Sequence, residues 1–434
     1  MTASIASVHG RQIFDSRGRP TVEVEVRLAD GSTGWAAVPS GASTGRNEVH
    51  ELRDGDASAF DGLGVLRAVS HVNSELGQAV LGKDALDQAR LDALLRDVDG
   101  TAGYSRLGAN AVLGVSLAAC RAAAMHLRRP LFAHIADMGG IGAPLLPMPM
   151  VNILSGGAHA RNGMDFQDFL VIPAAATTYG AAVHMVAAIR TAADRLMTAH
   201  GLTTLLADEG GLSPGYRSAH EALNLLMEAI VEAGFVPGEH VAIALDVAAS
   251  ELLESPGLYR FKREGRTRNT DEMIELIAQL VSTYPIVSVE DPLDQEDWDG
   301  WKRLTHRLSN LQIVGDDLFT TNPARIRSGI AQGVANAVLV KVNQIGTLTA
   351  ALEAIGTARA AGYRCVISAR SGETEDPFIA DLAVGTASGQ IKIGSFRSSE
   401  RLSKYNQLIR IEESVGRFAG RDVLAPRRSA GAAI

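Results

Sequence analysis

The sequence predicts an α/β protein in which a barrel-like repeat of parallel strands follows a smaller segment of antiparallel strands and helices. Three observations carry this. From residue 150 onward, short apolar runs end in polar residues and lead into helical segments: VAIALD (241–246), IVSVED (286–291), QIVGDD (312–317), AVLVK (337–341), RCVISAR (364–370) and QIKIG (390–394). Runs that are apolar throughout mean strands buried on both faces, hence a parallel sheet. From Glu290 onward the run ends recur about every 25 residues, the length of one βα unit. Residues 1–35 follow a different pattern: Gln12-Ile13-Phe14, the turn DSRGRP, then Thr21 to Val26 with strict period two, as in an antiparallel hairpin.

Taken in order, the hairpin is followed by a Gly/Ser loop (40–45) and by helices expected over 84–96 and 108–128. The turn-rich segment GGIGAPLLPMP (139–149) breaks the pattern, dividing the chain into an N-terminal part, 1–138, and a barrel part, 139–434. The long interval between 246 and 290 holds a hairpin-like stretch, YRFKREG, and then a helix opened by Asp271 and Glu272, acids suited to the positive end of a helix. The tail APRRSAGAAI is expected to fray. With 434 residues, 46% hydrophobic and 21% charged, the chain is neither disordered nor collagen-like nor a disulfide scaffold. A net charge of −8 argues against a nucleic-acid or anionic-membrane surface. Cys120 and Cys365 form no disulfide framework or metal motif, so a cytoplasmic location is expected. The start lacks the order of a signal peptide, and the most apolar stretches are interrupted by Arg121 or by Thr177, Thr178 and His184, so no membrane span is expected.

The run ends carry the chemistry. Asp246, Glu290 and Asp316 finish three consecutive runs, and hard oxygen ligands converging from adjacent strands suit Mg²⁺. The alternative is a salt-bridged rim. Only six of the 41 basic residues are Lys, and two of them, Lys341 and Lys392, end the next runs on the same face. Lysine can lose its proton where arginine cannot. A nearby Mg²⁺ and a second ammonium would favour a neutral amine, which makes Lys341 the candidate base and Lys392 the candidate anchor for a carboxylate. Arg370-Ser371 forms a candidate phosphate fork. The loop PSGASTG (39–45) offers amides and hydroxyls, while GGAHA (156–160) and DEGG (208–211) set His159 and Glu209 beside glycines that allow close backbone approach.

Ten segments together resemble enolase: FDSRGRPTVEVEV (14–26), AAVPSGASTG (36–45), LGANAVLGVSLA (107–118), DEGG (208–211), LDVAASE (245–251), SVEDPLDQEDWDGW (288–301), VGDDLFTTNP (314–323), VKVNQIGTL (340–348), RSGETED (370–376) and SERLSKYNQLIRIEE (399–413). They occur in order from about residue 8 to 415. The resemblance implies a small α+β N-terminal domain, a TIM-like barrel that begins ββαα before its βα repeats, and a homodimer. It makes Asp246, Glu290 and Asp316 ligands of one Mg²⁺ and Ser43 a ligand of a second, substrate-assisted Mg²⁺. Lys341 would remove the proton beside the substrate carboxylate, and Lys392 would bind that carboxylate. Gln167, Arg370 and Ser371 would hold a phosphate, with His159 closing over it, and Glu209 and Asp168 would assist departure of the β-hydroxyl. The proton is very weakly acidic, so two Mg²⁺ ions and Lys392 would stabilise a dianionic enolate, the Lys-plus-Mg²⁺ pattern of the enolase superfamily.

Three departures from the enolase pattern stand out. Its QEF reads Gln167-Asp168-Phe169, its SHRSGE reads Ser368-Ala369-Arg370, and its GAPxRSER reads GSFRSSER, with Ser398 where an Arg is expected and Arg397 one place earlier. Glu→Asp retracts a carboxylate by ~1.5 Å, and a misplacement of about 1 Å costs on the order of 100-fold in rate. The first two departures fall where a hydroxyl leaves. The expectation is therefore an enolase paralogue acting on a small phosphorylated or phosphono carboxylate, such as carboxyphosphonoenolpyruvate synthase of phosphonate antibiotic pathways. The alternatives are an ordinary phosphopyruvate hydratase, which converts 2-phosphoglycerate to phosphoenolpyruvate and water, and a non-catalytic enolase-like binding protein.

Overall fold

The computed structural model describes residues 3–140, 143–161 and 163–424. The expected frayed tail (425–434) and part of the expected boundary (141–142) lie outside the described residues. The chain opens with an antiparallel meander of β1 (Ile5–Phe14), β2 (Pro20–Leu28) and β3 (Thr33–Ala37). Its period-two pattern buries Val22, Val24 and Val26, which face the helix Ala109–His126. That helix is Ala-rich and buried along nearly its whole length, and it packs unusually close to the sheet at Gly34. A Cβ there would meet Ala118 O and Ala122 N at 2.3 Å, so no side chain fits. The helix expected over 84–96 spans Gln88–Asp99 instead: the Asp87 side chain caps the Arg90 amide at the start, and Gly100 closes the end with φ 72°.

The barrel is closed and has eight strands. Around the ring, β4 (Met148–Ser155), β5 (Asp168–Ile172) and β6 (Ala242–Asp246) come first. A small sheet of β7 (Leu253–Ser255), β8 (Leu258–Phe261) and β9 (Arg266–Asn269) stands outside it. The ring continues with β10 (Ile286–Glu290), β11 (Gln312–Gly315), β12 (Ala337–Val340), β13 (Arg364–Ser368) and β14 (Gly389–Lys392), which returns to β4. The inside is filled by apolar side chains such as Met148, Leu170, Val314, Leu339 and Val366, each wholly buried and worth about 1.5–3 kcal/mol against exposure. The helix opened by Asp271 and Glu272 runs Thr270–Thr283, with Asn269 and Glu272 forming a reciprocal capping box.

One strand breaks the parallel order. β5 runs antiparallel to both β4 and β6, and the helices Tyr179–Ala199 and Ala219–Glu232 follow it, which is the ββαα start that the resemblance implies. Because β5 is reversed, its amino end, Asp168, lies at the same barrel face as the carboxyl end of β6, paired in register with Asp246. The N-terminal part is fastened over that face. Ser40 and Gly372 exchange backbone hydrogen bonds of 2.8 and 2.9 Å, and Arg121 binds Asp376 at 2.6 Å while stacking on Trp35 and Phe378. No single helix among the described residues is long and apolar enough to cross a membrane.

Candidate functional site

The strand ends deliver their polar residues to one face. Asp246, Glu290 and Lys392 are the last residues of β6, β10 and β14, and Asp316 and Lys341 directly follow β11 and β12. Arg370 and Ser371 follow β13, Gln167 precedes β5, and His159 lies in the turn Gly157–Ala160 after β4. Glu209 and Ser43 come from loops. Nine of the twelve sequence candidates line one small polar cavity in this face: Ser43, His159, Gln167, Glu209, Asp246, Lys341, Arg370, Ser371 and Lys392. The other three, Glu290, Asp316 and Asp168, each stand behind a lining residue, bonded to Lys392, Lys341 and His159 respectively. Two larger clefts, beside helix Gln88–Asp99 and at the foot of the barrel, contain none of the twelve, so chemistry rather than size marks the site.

One wall is a lattice of charges. Lys392 Nζ donates to Asp246 Oδ2 at 2.7 Å and to Glu290 Oε2 at 2.8 Å, and Lys341 Nζ donates to Asp316 Oδ2 at 2.5 Å. Gln167 and Gln344 donate to the same carboxylates, at 3.0 Å to Asp246 and 2.8 Å to Asp316. Burial and the neighbouring Asp246 lift the Glu290 carboxyl well above its ordinary range. Burial opposes the charge on Lys392, yet Asp246 and Glu290 hold its ammonium well above the usual lysine value. Lys341 is likewise disfavoured by burial but raised overall by Asp316. The expectation of a neutral Lys341 is premised on a bound Mg²⁺; with Asp316 paired directly to the amine instead, the carboxylate favours its charged form.

Three carboxylates face two ammonium groups here, and Glu290 Oε1 is buried without a hydrogen-bond partner. An orphaned carboxylate oxygen in an acid-rich, oxygen-only donor set fits a hard divalent cation. Asp291 also adjoins Asp316 and Asp317, but its oxygens accept the Asp316 and Asp317 amides at 2.9 and 2.7 Å and so brace the turn.

The anion-binding candidates are engaged by the loop above them. Arg370 Nη1 donates to Glu48 Oε2 (2.8 Å) and Asn343 Oδ1 (3.1 Å), and Nη2 donates to Ser43 O (2.8 Å) and Glu48 Oε1 (3.2 Å). All four Nη hydrogens are thereby used. Ser371 Oγ accepts the Ala42 amide at 2.6 Å. From below, the fully buried Arg401 donates to the carbonyls of Arg370, Ser371 and Ile393 at 2.6–3.0 Å.

The opposite wall is built on loops. His159 Nδ1 lies 3.0 Å from Asp168 Oδ2, and its Nε2 lies 3.6 Å from Glu209 Oε1. Ser155 Oγ donates to Asp168 Oδ1 at 2.6 Å, and Asn152 Nδ2 donates to Glu209 Oε2 at 3.0 Å. Burial opposes a charged imidazole, but Glu209 and Asp168 push His159 up to about 9. Burial raises Asp168, while His159 brings Glu209 below its usual value despite burial. Ala369 completes the cavity lining, whereas Ser398, at φ 68°, and Arg397 are exposed and outside it.

Sequence reasoning missed Glu48, Asn152, Ser155, Asn343, Gln344 and Arg401. Gln344 sits inside the quoted VKVNQIGTL and Arg401 inside SERLSKYNQLIRIEE, so both could have been found; nothing local marked Asn152 or Ser155 within an apolar run. A family model described as the enolase N-terminal domain matches residues 5–135, and one described as the enolase C-terminal TIM barrel domain matches residues 143–426.

Proposed function

This chain belongs to the enolase family, a family of carbon–oxygen lyases, and from that premise we propose that it is a Mg²⁺-dependent enzyme that takes a proton from the carbon beside a carboxylate in a small phosphorylated or phosphono carboxylate. Asp246, Glu290 and Asp316 would hold one Mg²⁺ and Ser43 would join a second. Bound Mg²⁺ supplies positive charge to the carboxylate as the adjacent carbon loses its proton. Lys341, released from Asp316, takes that proton, and Lys392 orients the substrate carboxylate. Gln167, Arg370 and Ser371 grip the phosphate once Glu48 yields the Arg370 fork.

One observation carries the finer reading. Asp168 is withdrawn from the cavity and Ala369 stands in its lining, while the acids and lysines of the opposite wall keep their places. That contrast favours a diverged paralogue of the carboxyphosphonoenolpyruvate synthase kind, with enolate formation kept and hydroxide departure impaired. The second reading, an ordinary hydratase, draws support from His159 and Glu209, which still line the cavity. The test is the rise in 240 nm absorbance when 2-phosphoglycerate and Mg²⁺ are supplied. Slow turnover is expected; about 10 per second or more, the ordinary enzyme range, overturns the paralogue reading.

A further inference from the structure

We propose that Asp168 is the positioning residue of His159, so that His159 rather than Asp168 carries the proton on the side of the cavity where a group departs. This rests on the enolate reading above. Asp168 has both oxygens committed, Oδ1 to the Ser155 hydroxyl and Oδ2 to His159 Nδ1, and its side chain is wholly buried. It is absent from the cavity lining, behind the His159 ring, and so does not face a substrate. The Asp168 bond orients the ring and keeps Nδ1 protonated, so Nε2 turns toward Glu209 Oε1, which is itself held through Asn152.

His159, Asp168 and Glu209 lie close enough to suggest a metal centre. The geometry argues against one. The two carboxylates address opposite edges of a single imidazole, and lone pairs on Nδ1 and Nε2 diverge, so one cation cannot meet all three. A carboxylate–imidazole–carboxylate chain instead suits proton handling. Asp168 bonds the ring from β5, Glu209 lies against it from the loop before helix Ala219–Glu232, and Asp246 at the end of β6 adds a smaller, longer-range negative charge. Together they outweigh burial and keep the ring an imidazolium near neutrality.

The step balances simply. Neutral Lys341 accepts the proton from the carbon beside the carboxylate, and the freed electron pair forms the carbon–carbon double bond as the bond to the β-oxygen breaks. The departing oxygen takes the His159 Nε2 proton, directly or through Glu209, leaving a neutral imidazole that solvent recharges.

The experiment reads His159 by NMR in the metal-free protein, with His159→Gln to assign its ring signal. The wild-type ring is expected to titrate near pH 9, and the near-isosteric Asp168→Asn to lower that midpoint by about one unit or more. In the Mg²⁺-loaded enzyme, the alkaline limb of 2-phosphoglycerate turnover should fall with it, with KM within about threefold. A merely structural role would lower kcat without moving the limb. Wild-type titration near the ordinary 6.5, or an unmoved limb in Asp168→Asn, overturns the proposal. Absence of wild-type turnover overturns the substrate reading alone, and the titration then decides the positioning.

Discussion

The two walls of the cavity are built differently. The wall of Asp246, Glu290, Asp316, Lys341 and Lys392 stands on strand ends or one residue beyond, in backbone that the barrel's hydrogen-bond register fixes. The wall of His159 and Glu209 stands on loops, backed by Asp168 at the amino end of the one reversed strand and flanked by Ala369 directly after β13. The first holds its charges in direct ion pairs of 2.5–2.8 Å that a metal and an anionic substrate can replace. The second sets Asp168 and Glu209 at opposite edges of the His159 ring, and two of the three departures, Asp168 and Ala369, fall there. Loops tolerate sequence change that a closed ladder does not. A barrel face can therefore keep one half-reaction while the other drifts.

Breaking the strand-end wall should have the largest effects. Lys341→Arg keeps a cation but cannot supply a neutral base, so exchange of the substrate proton with D₂O should fall by about 10³-fold or more. An Arg variant within a few-fold of wild type would remove Lys341 from the chemistry. Next in size, excess EDTA should abolish turnover, and Asp316→Ala should weaken Mg²⁺ binding, read by calorimetry, by about 100-fold or more. Because burial and Asp246 raise the Glu290 carboxyl above the usual carboxylate range, a ligand role requires any proton it holds there to leave. Mg²⁺ affinity should accordingly rise with pH, with proton release on binding. Affinity that does not change with pH, with no proton released on binding, would mean that the Glu290 carboxyl holds no extra proton in the metal-free site.

The same contrast explains what was legible in the sequence. Asp246, Glu290, Lys341 and Lys392 were visible because apolar runs of even spacing place their terminal residues on one face, whatever the loops do. The reversed β5 was not: Asp168–Ile172 is a short apolar run like the others, and only the resemblance implied a ββαα start. The direct contact of Lys341 with Asp316 was not legible either, because spacing supplies neighbours on one face but not which of them touch. Glu48 escaped notice because its grip on Arg370 spans 322 residues and depends on how the 39–48 loop closes.

The loop wall can be tested by repair. Asp168→Glu with Ala369→His should raise dehydration of 2-phosphoglycerate by about 10- to 100-fold, the scale of a one-ångström misplacement. The two groups would act on one departing oxygen, so the double change should exceed the product of the single ones. Purely additive single effects would mean that these residues serve separate tasks.

The smallest expected effect is a pH dependence of stability. His159 titrates near 9 in the fold and near 6.5 when unfolded, so folding retains a proton that the unfolded chain releases. Its stabilisation is fully present below about pH 6.5 and is lost as pH rises through 9, on the order of 1–3 kcal/mol in all. For a chain of this length that is a shift of only about 1–2 °C per kcal/mol. Asp317, lifted to about 8 by burial and the neighbouring Asp316, loses stabilisation with the same sign in an overlapping window. The wild-type melting curve alone therefore cannot assign the loss to one wall. The difference between wild type and His159→Gln can: their melting temperatures should converge between pH 7 and pH 9.5, while the residual decline belongs to the raised carboxyls Asp317, Glu290 and Asp291 and should persist in the variant. Parallel profiles across that range would mean that the imidazole between Asp168 and Glu209 holds no extra proton, and the two walls would then differ in shape but not in charge.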